Sequence, residues 1–218
     1  MDTRRLRDHF NRHAEEFDRL YDLQRQSSLS RWLICRFHSD IADRYLAALE
    51  HVRASGAKSV LDVGCGPGHY LAALAEMGIP RIVGIDASEE MIRLARQQPA
   101  LVDRSSVEIV HADYSVWQTA ERFDVVLAMG FFDYTRAPVP LLAKMREHSR
   151  HSVFASFPSR HWFRTPFRWT RRWLQGTKVY FYSEAEILRV GREAGFKTVA
   201  AAQLPGAGMN RVAVFSSR

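Results

Sequence analysis

From Gly56 onward the apolar residues follow two alternating patterns. Short runs rich in β-branched and apolar residues, Ser59–Val63, Arg81–Ile85, Val107–Val110, Asp124–Ala128, Ser152–Phe157, Thr198–Gln203 and Arg211–Phe215, read as strands. Segments with apolar positions three or four apart separate them and read as helices. Such βα alternation predicts an α/β fold: a doubly wound, seven-stranded, mostly parallel sheet. Helix boundaries are marked locally. Ser88 can cap a helix whose first turn carries Glu89 and Glu90 and whose face is Met91, Leu94 and Ala95. Ser183-x-x-Glu186 has capping-box spacing before Ile187 and Val190, with Gly195 as the stop. Residues 1–55 read as two helices broken near Gln26-Ser27-Ser28, so we expect an N-terminal helical cover over 1–55 and the main domain over 56–218. There is no internal repeat.

Composition narrows the class. A length of 218 residues, 46% hydrophobic and 25% charged, suits one large domain with a helical appendage and argues against a disordered chain. Cys35 and Cys65 are too few for a disulfide framework, and no Cys/His cluster has metal-site spacing, so no metal is expected. The first residues continue as charge instead of an apolar stretch, and no run approaches the ~18 apolar residues of a span. A cytoplasmic protein is expected.

The formal net charge of +7 is unevenly placed. Residues 1–53 hold ten arginines against nine acids, whereas 158–183 contain no acid and the basic residues Arg160, Arg164, Arg168, Arg171, Arg172 and Lys178. Nine of the 25 aromatic residues lie between Phe157 and Tyr182. Interleaved arginines and rings can stack on a planar acceptor, pair with its carboxylates or phosphates, lie on an anionic membrane surface, or bind single-stranded RNA. A lid helix with outward arginines is the plainer reading.

Candidate chemistry concentrates at Val60-Leu61-Asp62-Val63-Gly64-Cys65-Gly66-Pro67-Gly68-His69, a buried strand running into a glycine-rich turn and a helix. Glycines let a ligand approach the backbone, and the helix N-terminus offers unpaired N–H groups. The dinucleotide pattern is not met, because its third glycine position is His69. An aspartate at the strand tip repels a pyrophosphate and suits a cation.

This Asp-x-Gly-x-Gly-x-Gly loop resembles the cofactor loop of class I S-adenosylmethionine-dependent methyltransferases, the Rossmann-like methyltransferase fold. Three further matches follow it. Val83-Gly84-Ile85-Asp86-Ala87-Ser88 ends the second strand with an acid 22 residues after Gly64. Ile109-Val110-His111-Ala112-Asp113-Tyr114 ends the third, and Phe123-Asp124-Val125-Val126-Leu127-Ala128-Met129-Gly130 resembles the fourth. The resemblance implies S-adenosylmethionine as cofactor. It places the methionine end at Asp62, Gly64, Cys65, Gly66 and Gly68, the ribose at Asp86 with Ala87 and Met91 beside it, and the adenine amino group at Asp113. It puts Tyr114 against the ring and Met129 between cofactor and acceptor. The segment Phe10–Asp22 resembles the N-terminal helix of small-molecule methyltransferases of the quinone and tetrapyrrole type, which implies that Tyr21 touches the cofactor.

Methyl transfer is an in-line displacement that depends chiefly on alignment and exclusion of water, and a base is needed only if the acceptor loses a proton. No catalytic residue stands out. His38, His161 and Tyr134 are candidates, with His69, His111 and Asp133 behind them. Absences narrow the acceptor: Met129-Gly130-Phe131-Phe132 lacks the Asn- or Asp-Pro-Pro-aromatic clamp of amino-methylating enzymes, and there is no Pro-Cys nucleophile. The expected acceptor is a small, planar or anionic molecule held by Phe132, Arg164 and Arg168 in an insertion over about 158–182. The alternative is an RNA-binding or RNA-modifying protein that uses the basic aromatic segment.

Overall fold

A computed structural model describes residues 7–8, 11, 39–159, 179–204 and 210–217. Of the expectations above, Tyr21, the break near Gln26, His38, His161, Arg164, Arg168 and most of the 158–182 insertion lie outside the described residues.

In chain order the elements are α1 (Ser39–Ser55), β1 (Ser59–Val63), α2 (His69–Glu76), β2 (Arg81–Asp86), α3 (Glu89–Arg96), β3 (Val107–His111), β4 (Phe123–Ala128), α4 (Pro138–His148), β5 (Ser149–Pro158), α5 (Glu184–Glu193), β6 (Thr198–Gln203) and β7 (Asn210–Ser216). One seven-stranded sheet runs β3-β2-β1-β4-β5-β7-β6. β1 to β5 are mutually parallel, and β7 enters antiparallel between β5 and β6. All seven expected strands are present. β5 starts three residues earlier than its apolar run, because Ser149, on the far side of a bulge opposite Phe123, still pairs with β4.

Strand alternation divides the core between two faces. Leu61, Val63, Val126, Ala128, Val153 and Ala155 pack with Leu142 and Met145 of α4 and with Ile187 and Val190 of α5. On the other face Val60, Val125, Leu127 and Phe154 pack with Ala48 and Val52 of α1 and Leu71 and Leu74 of α2. The final helix of the N-terminal segment is therefore a layer of this core. Its His51 is hydrogen-bonded to Ser152 Oγ at 2.9 Å and stacks on Phe154 with ring centres 4.6 Å apart.

Both predicted caps form. Ser88 Oγ accepts from Met91 N, and Ser183 Oγ accepts from Glu186 N while Ser183 N donates to Glu186 Oε2 at 2.7 Å. Gly195 ends α5 with φ +87. Among the described residues no helix is long and apolar enough to cross a membrane.

Candidate functional site

β1 has β2 on one side and β4 on the other, so the strand order reverses there and the loops after β1, β2 and β4 leave the sheet in different directions. Ligand crevices of open α/β sheets form at such a point, beyond the carboxyl ends of the strands. Asp62, Asp86, Asp113 and Met129 all stand at or just past those ends, as the sequence predicts.

The three glycines of the first loop have different neighbours. A Cβ on Gly64 would lie 3.1 Å from Phe131 Cδ2, so that position makes room for a ring arriving from the end of β4. A Cβ on Gly68 would lie 3.1 Å from Ala95 Cβ and 3.2 Å from Leu101 Cδ1, so the missing side chain there lets α2 pack against α3. Gly66 has φ +53 and no described residue within 4 Å of its Cβ position. It is the one of the three that faces open space.

The loop is pinned from β2. Gly64 N and Cys65 N both donate to the Ile85 carbonyl, at 2.8 and 3.1 Å. Gly66 N donates to Asp86 Oδ2 at 3.0 Å and Ser88 N to Asp86 Oδ1 at 2.8 Å. Burial raises the Asp86 pKa, and the amides of Ser88, Gly66 and Ala87 oppose that rise. His111, register partner of Asp86, is hydrogen-bonded through Nε2 to the Ala87 carbonyl at 3.2 Å. That places it at the β2–α3 turn, away from the end of β4.

Asp62 is 1% exposed, and among the described residues its Oδ2 has no hydrogen-bond partner. Its carboxyl is pushed up to about 7, first by burial and then by the negative charge of Asp86. A buried carboxylate without a partner is costly, and a positively charged ligand group relieves the cost. The Cys65 thiol is buried, and burial together with the charges of Asp86 and Asp62 drives its pKa up, which disfavours the thiolate.

Two expectations are corrected. Phe132 does not face an acceptor: it is fully buried and stacked on Phe157, with ring centres 4.8 Å apart and planes at 11°. The half-buried ring at the end of β4 belongs to its neighbour Phe131, because the turn after Gly130 (φ +77) sends 131 toward Gly64 and 132 into the core. Tyr114 is likewise a core residue, 4% exposed, with its hydroxyl bonded to His148 Nδ1 at 3.0 Å under α4. Its aromatic ring packs in the core, edge-on to Phe131 and His148.

The remaining site residues sit as follows. Asp113 Oδ1 accepts from Ser115 N and Oγ at 2.9 and 2.8 Å, and no described residue bonds its Oδ2. Met91 and Met129 are buried, Met129 in the α1–α2 layer. Asp133 and Tyr134 form the short turn after β4; Asp133 is buried, its carbonyl accepts from Tyr180 N at 2.9 Å, and no described residue bonds its Oδ1.

Two contacts have no signal in the local sequence. Asn11 Oδ1 accepts from Ser88 Oγ at 2.6 Å and from Glu90 N at 3.3 Å, tying the N-terminal segment to the start of α3. Lys144 of α4 reaches the turn that follows Asp113.

The sheet order, the acids at the strand ends and the glycine loop define a class I, Rossmann-like methyltransferase fold. A family model described as a methyltransferase domain matches residues 9–201, and the chain belongs to that family of S-adenosylmethionine-dependent methyltransferases. Among solved structures it is similar to magnesium protoporphyrin IX methyltransferase from Synechocystis PCC 6803 with bound S-adenosylhomocysteine. That likeness has a TM-score of 0.78 at 20% identity and covers 99% of this chain and 100% of the other. A trans-aconitate 2-methyltransferase from Azoarcus sp. (strain BH72) is 37% identical over 103 residues, 47% of this chain and 39% of the relative. A tRNA U34 carboxymethyltransferase from Vibrio campbellii is 28% identical over 156 residues, 69% of this chain and 48% of the relative. The chain thus spans less than half the length of these two relatives.

The residues present fit the family's cofactor. Asp62 offers a cation a buried carboxyl oxygen that no described residue bonds, and Gly66 leaves an open cradle above the backbone among the described residues.

Proposed function

We propose that this protein transfers the methyl group of S-adenosylmethionine to a small, planar or anionic acceptor. The observation that carries the cofactor half of this reading is the buried carboxyl of Asp62, whose Oδ2 is bonded by no described residue, on the same loop as the open face of Gly66. The bound cofactor supplies an activated methyl on a sulfonium.

In this reading Asp62 balances the positive charge of the methionine end, and Gly64, Cys65, Gly66 and Gly68 shape the loop around it. Asp86, fixed by the Gly66 and Ser88 amides, accepts from the ribose hydroxyls with its remaining lone pairs. Ala87 and Met91 line that turn, and Asp113 accepts from the adenine amino group. Phe131 and Met129 close the acceptor side and keep water out, and alignment by these groups is the main source of rate. Where the acceptor must release a proton, Asp133 and Tyr134 are the titratable groups next along the chain from Phe131. Arg164 and Arg168 hold the acceptor's anionic or planar part.

The names of the trans-aconitate and magnesium protoporphyrin enzymes support a small acceptor. A second reading, an RNA acceptor, is favoured by the tRNA U34 carboxymethyltransferase relatives and by the basic aromatic segment. One experiment separates them: incubate the protein with methyl-labelled S-adenosylmethionine, a small-metabolite extract and total RNA, then fractionate. Label in the metabolite fraction, lost in Arg164→Ala and Arg168→Ala, is the expected result, with RNA binding no tighter than about 10⁻⁶ M at physiological salt. Label in RNA instead would establish the second reading.

A further inference from the structure

The turn that carries Asp113 is a single turn held from two sides. Val116 N and Trp117 N donate to the Asp113 carbonyl at 3.1 and 2.9 Å, and Ser115 N and Oγ donate to Asp113 Oδ1. The N-terminal side of this single turn is thus satisfied by Asp113 itself. Its carbonyls converge on the opposite side, and such groups need donors from elsewhere.

Those donors come from one side chain. Lys144 Nζ donates to the Tyr114 carbonyl at 2.8 Å, to the Ser115 carbonyl at 3.1 Å and to the Trp117 carbonyl. An ammonium has three protons and no acceptor site, so all its donors go to this turn. The same nitrogen stands 5.1 Å from the centre of the Tyr114 ring. One helical turn further along α4, His148 Nδ1 is bonded to the Tyr114 hydroxyl at 3.0 Å, and its ring meets Trp117 edge-on at 5.6 Å. The residue after Asp113 is therefore gripped at its carbonyl by Lys144 and at its hydroxyl by His148, both from one rigid helix.

We propose that Lys144 is a positioning residue for nucleobase recognition: by tying the 114–117 turn to α4 it fixes the direction in which Asp113 presents Oδ2, and so makes the site select an exocyclic amino group over a carbonyl at that position of the purine. This rests on the reading above that Asp113 meets the adenine amino group. Neither residue touches the reacting atoms. Loss of Lys144 leaves Asp113 in place in the sequence but lets its turn rotate, and a carboxylate that rotates freely accepts from an amino group and avoids a carbonyl with less discrimination.

The test compares dissociation constants of S-adenosylhomocysteine and its inosine counterpart, S-inosylhomocysteine, for the wild type, Lys144→Met, Lys144→Arg and Asp113→Ala by calorimetry. Amide hydrogen exchange of residues 113–117 is followed in the ligand-free proteins. The expected wild type prefers the adenosyl ligand at least tenfold. Lys144→Met reduces that ratio at least fivefold and speeds exchange at 115–117. Lys144→Arg, which keeps the charge and stem but cannot converge three donors, lies between, and it serves if the methionine variant does not fold. A ratio of affinities is unmoved by a uniform loss of binding, which separates positioning from mere destabilisation. A collapsed ratio in Asp113→Ala with an unchanged one in both Lys144 variants overturns the positioning role and leaves the adenine reading standing. An unchanged ratio in Asp113→Ala overturns both.

Discussion

The Gly66 amide and the Asp86 carboxylate, twenty positions apart in the chain, meet at 3.0 Å and lock the loop after β1 to the end of β2. Asp86 is thus both a proposed ligand group and the fastener of the loop. Asp86→Ala should weaken binding of S-adenosylmethionine by about 1.5–3 kcal/mol, the cost of losing charge-assisted hydrogen bonds. Calorimetry checks this, and an unchanged dissociation constant removes Asp86 from the site.

Asp62 links binding to pH. Its folded pKa, about 7, is above the ordinary carboxylate value, so between about pH 4 and 7 the folded state keeps a proton that the unfolded state has released. Stability from this group is full at low pH and falls as pH rises through that window. Asp62→Asn should leave the melting temperature unchanged at about pH 3 and raise it progressively up to pH 8, at about 1.4 kcal/mol per pKa unit removed. The cofactor's cation prefers the ionised acid, so wild-type affinity should rise between pH 5 and 8 and that of Asp62→Asn should stay flat. A melting temperature for Asp62→Asn no higher than wild type at pH 8 would contradict the burial account.

Gly64 and Phe131 should be energetically coupled. Gly64→Ala places a methyl 3.1 Å from the Phe131 ring at a residue with φ +77 and should cost about 1–3 kcal/mol of stability. Adding Phe131→Ala removes the steric part of this cost and leaves the conformational part. A double-mutant cycle in urea should show about 0.5 kcal/mol of coupling or more; strict additivity would show that the ring and the loop do not meet.

Adjacent phenylalanines should separate stability from acceptor binding. Phe132→Leu should lower stability by about 1 kcal/mol and leave the acceptor KM unchanged, since its ring lies in the core. Phe131→Leu should do the reverse, raising KM with little loss of stability. Denaturant titration and steady-state kinetics on the same preparations decide this, and a KM effect confined to Phe132→Leu would invert the assignment.

Much of the fold is local information. The β1 and β6 boundaries follow from apolar runs alone, and the Ser88 and Ser183 caps follow from residues three positions apart, because strand pleat and helix capping are set by near neighbours. The acids at the strand ends are legible for the same reason: Asp62 and Asp86 are the acids within the last two residues of buried strands, and Asp113 stands two residues past β3. What the neighbours across space present was not. Phe131 and Phe132 are indistinguishable in sequence until the Gly130 turn and the Gly64 gap assign them to opposite sides. Tyr114 looks like a ligand aromatic until α4 covers it and His148 takes its hydroxyl. Lys144 is an ordinary helix cation until packing brings it onto three carbonyls 27 to 30 positions away. The raised pKa of Asp62 arises only from burial and the approach of Asp86. Periodicity along the chain sets which elements form and which face they bury, whereas the roles of site residues depend on contacts between distant segments, which exist only once the sheet and its two helical layers close.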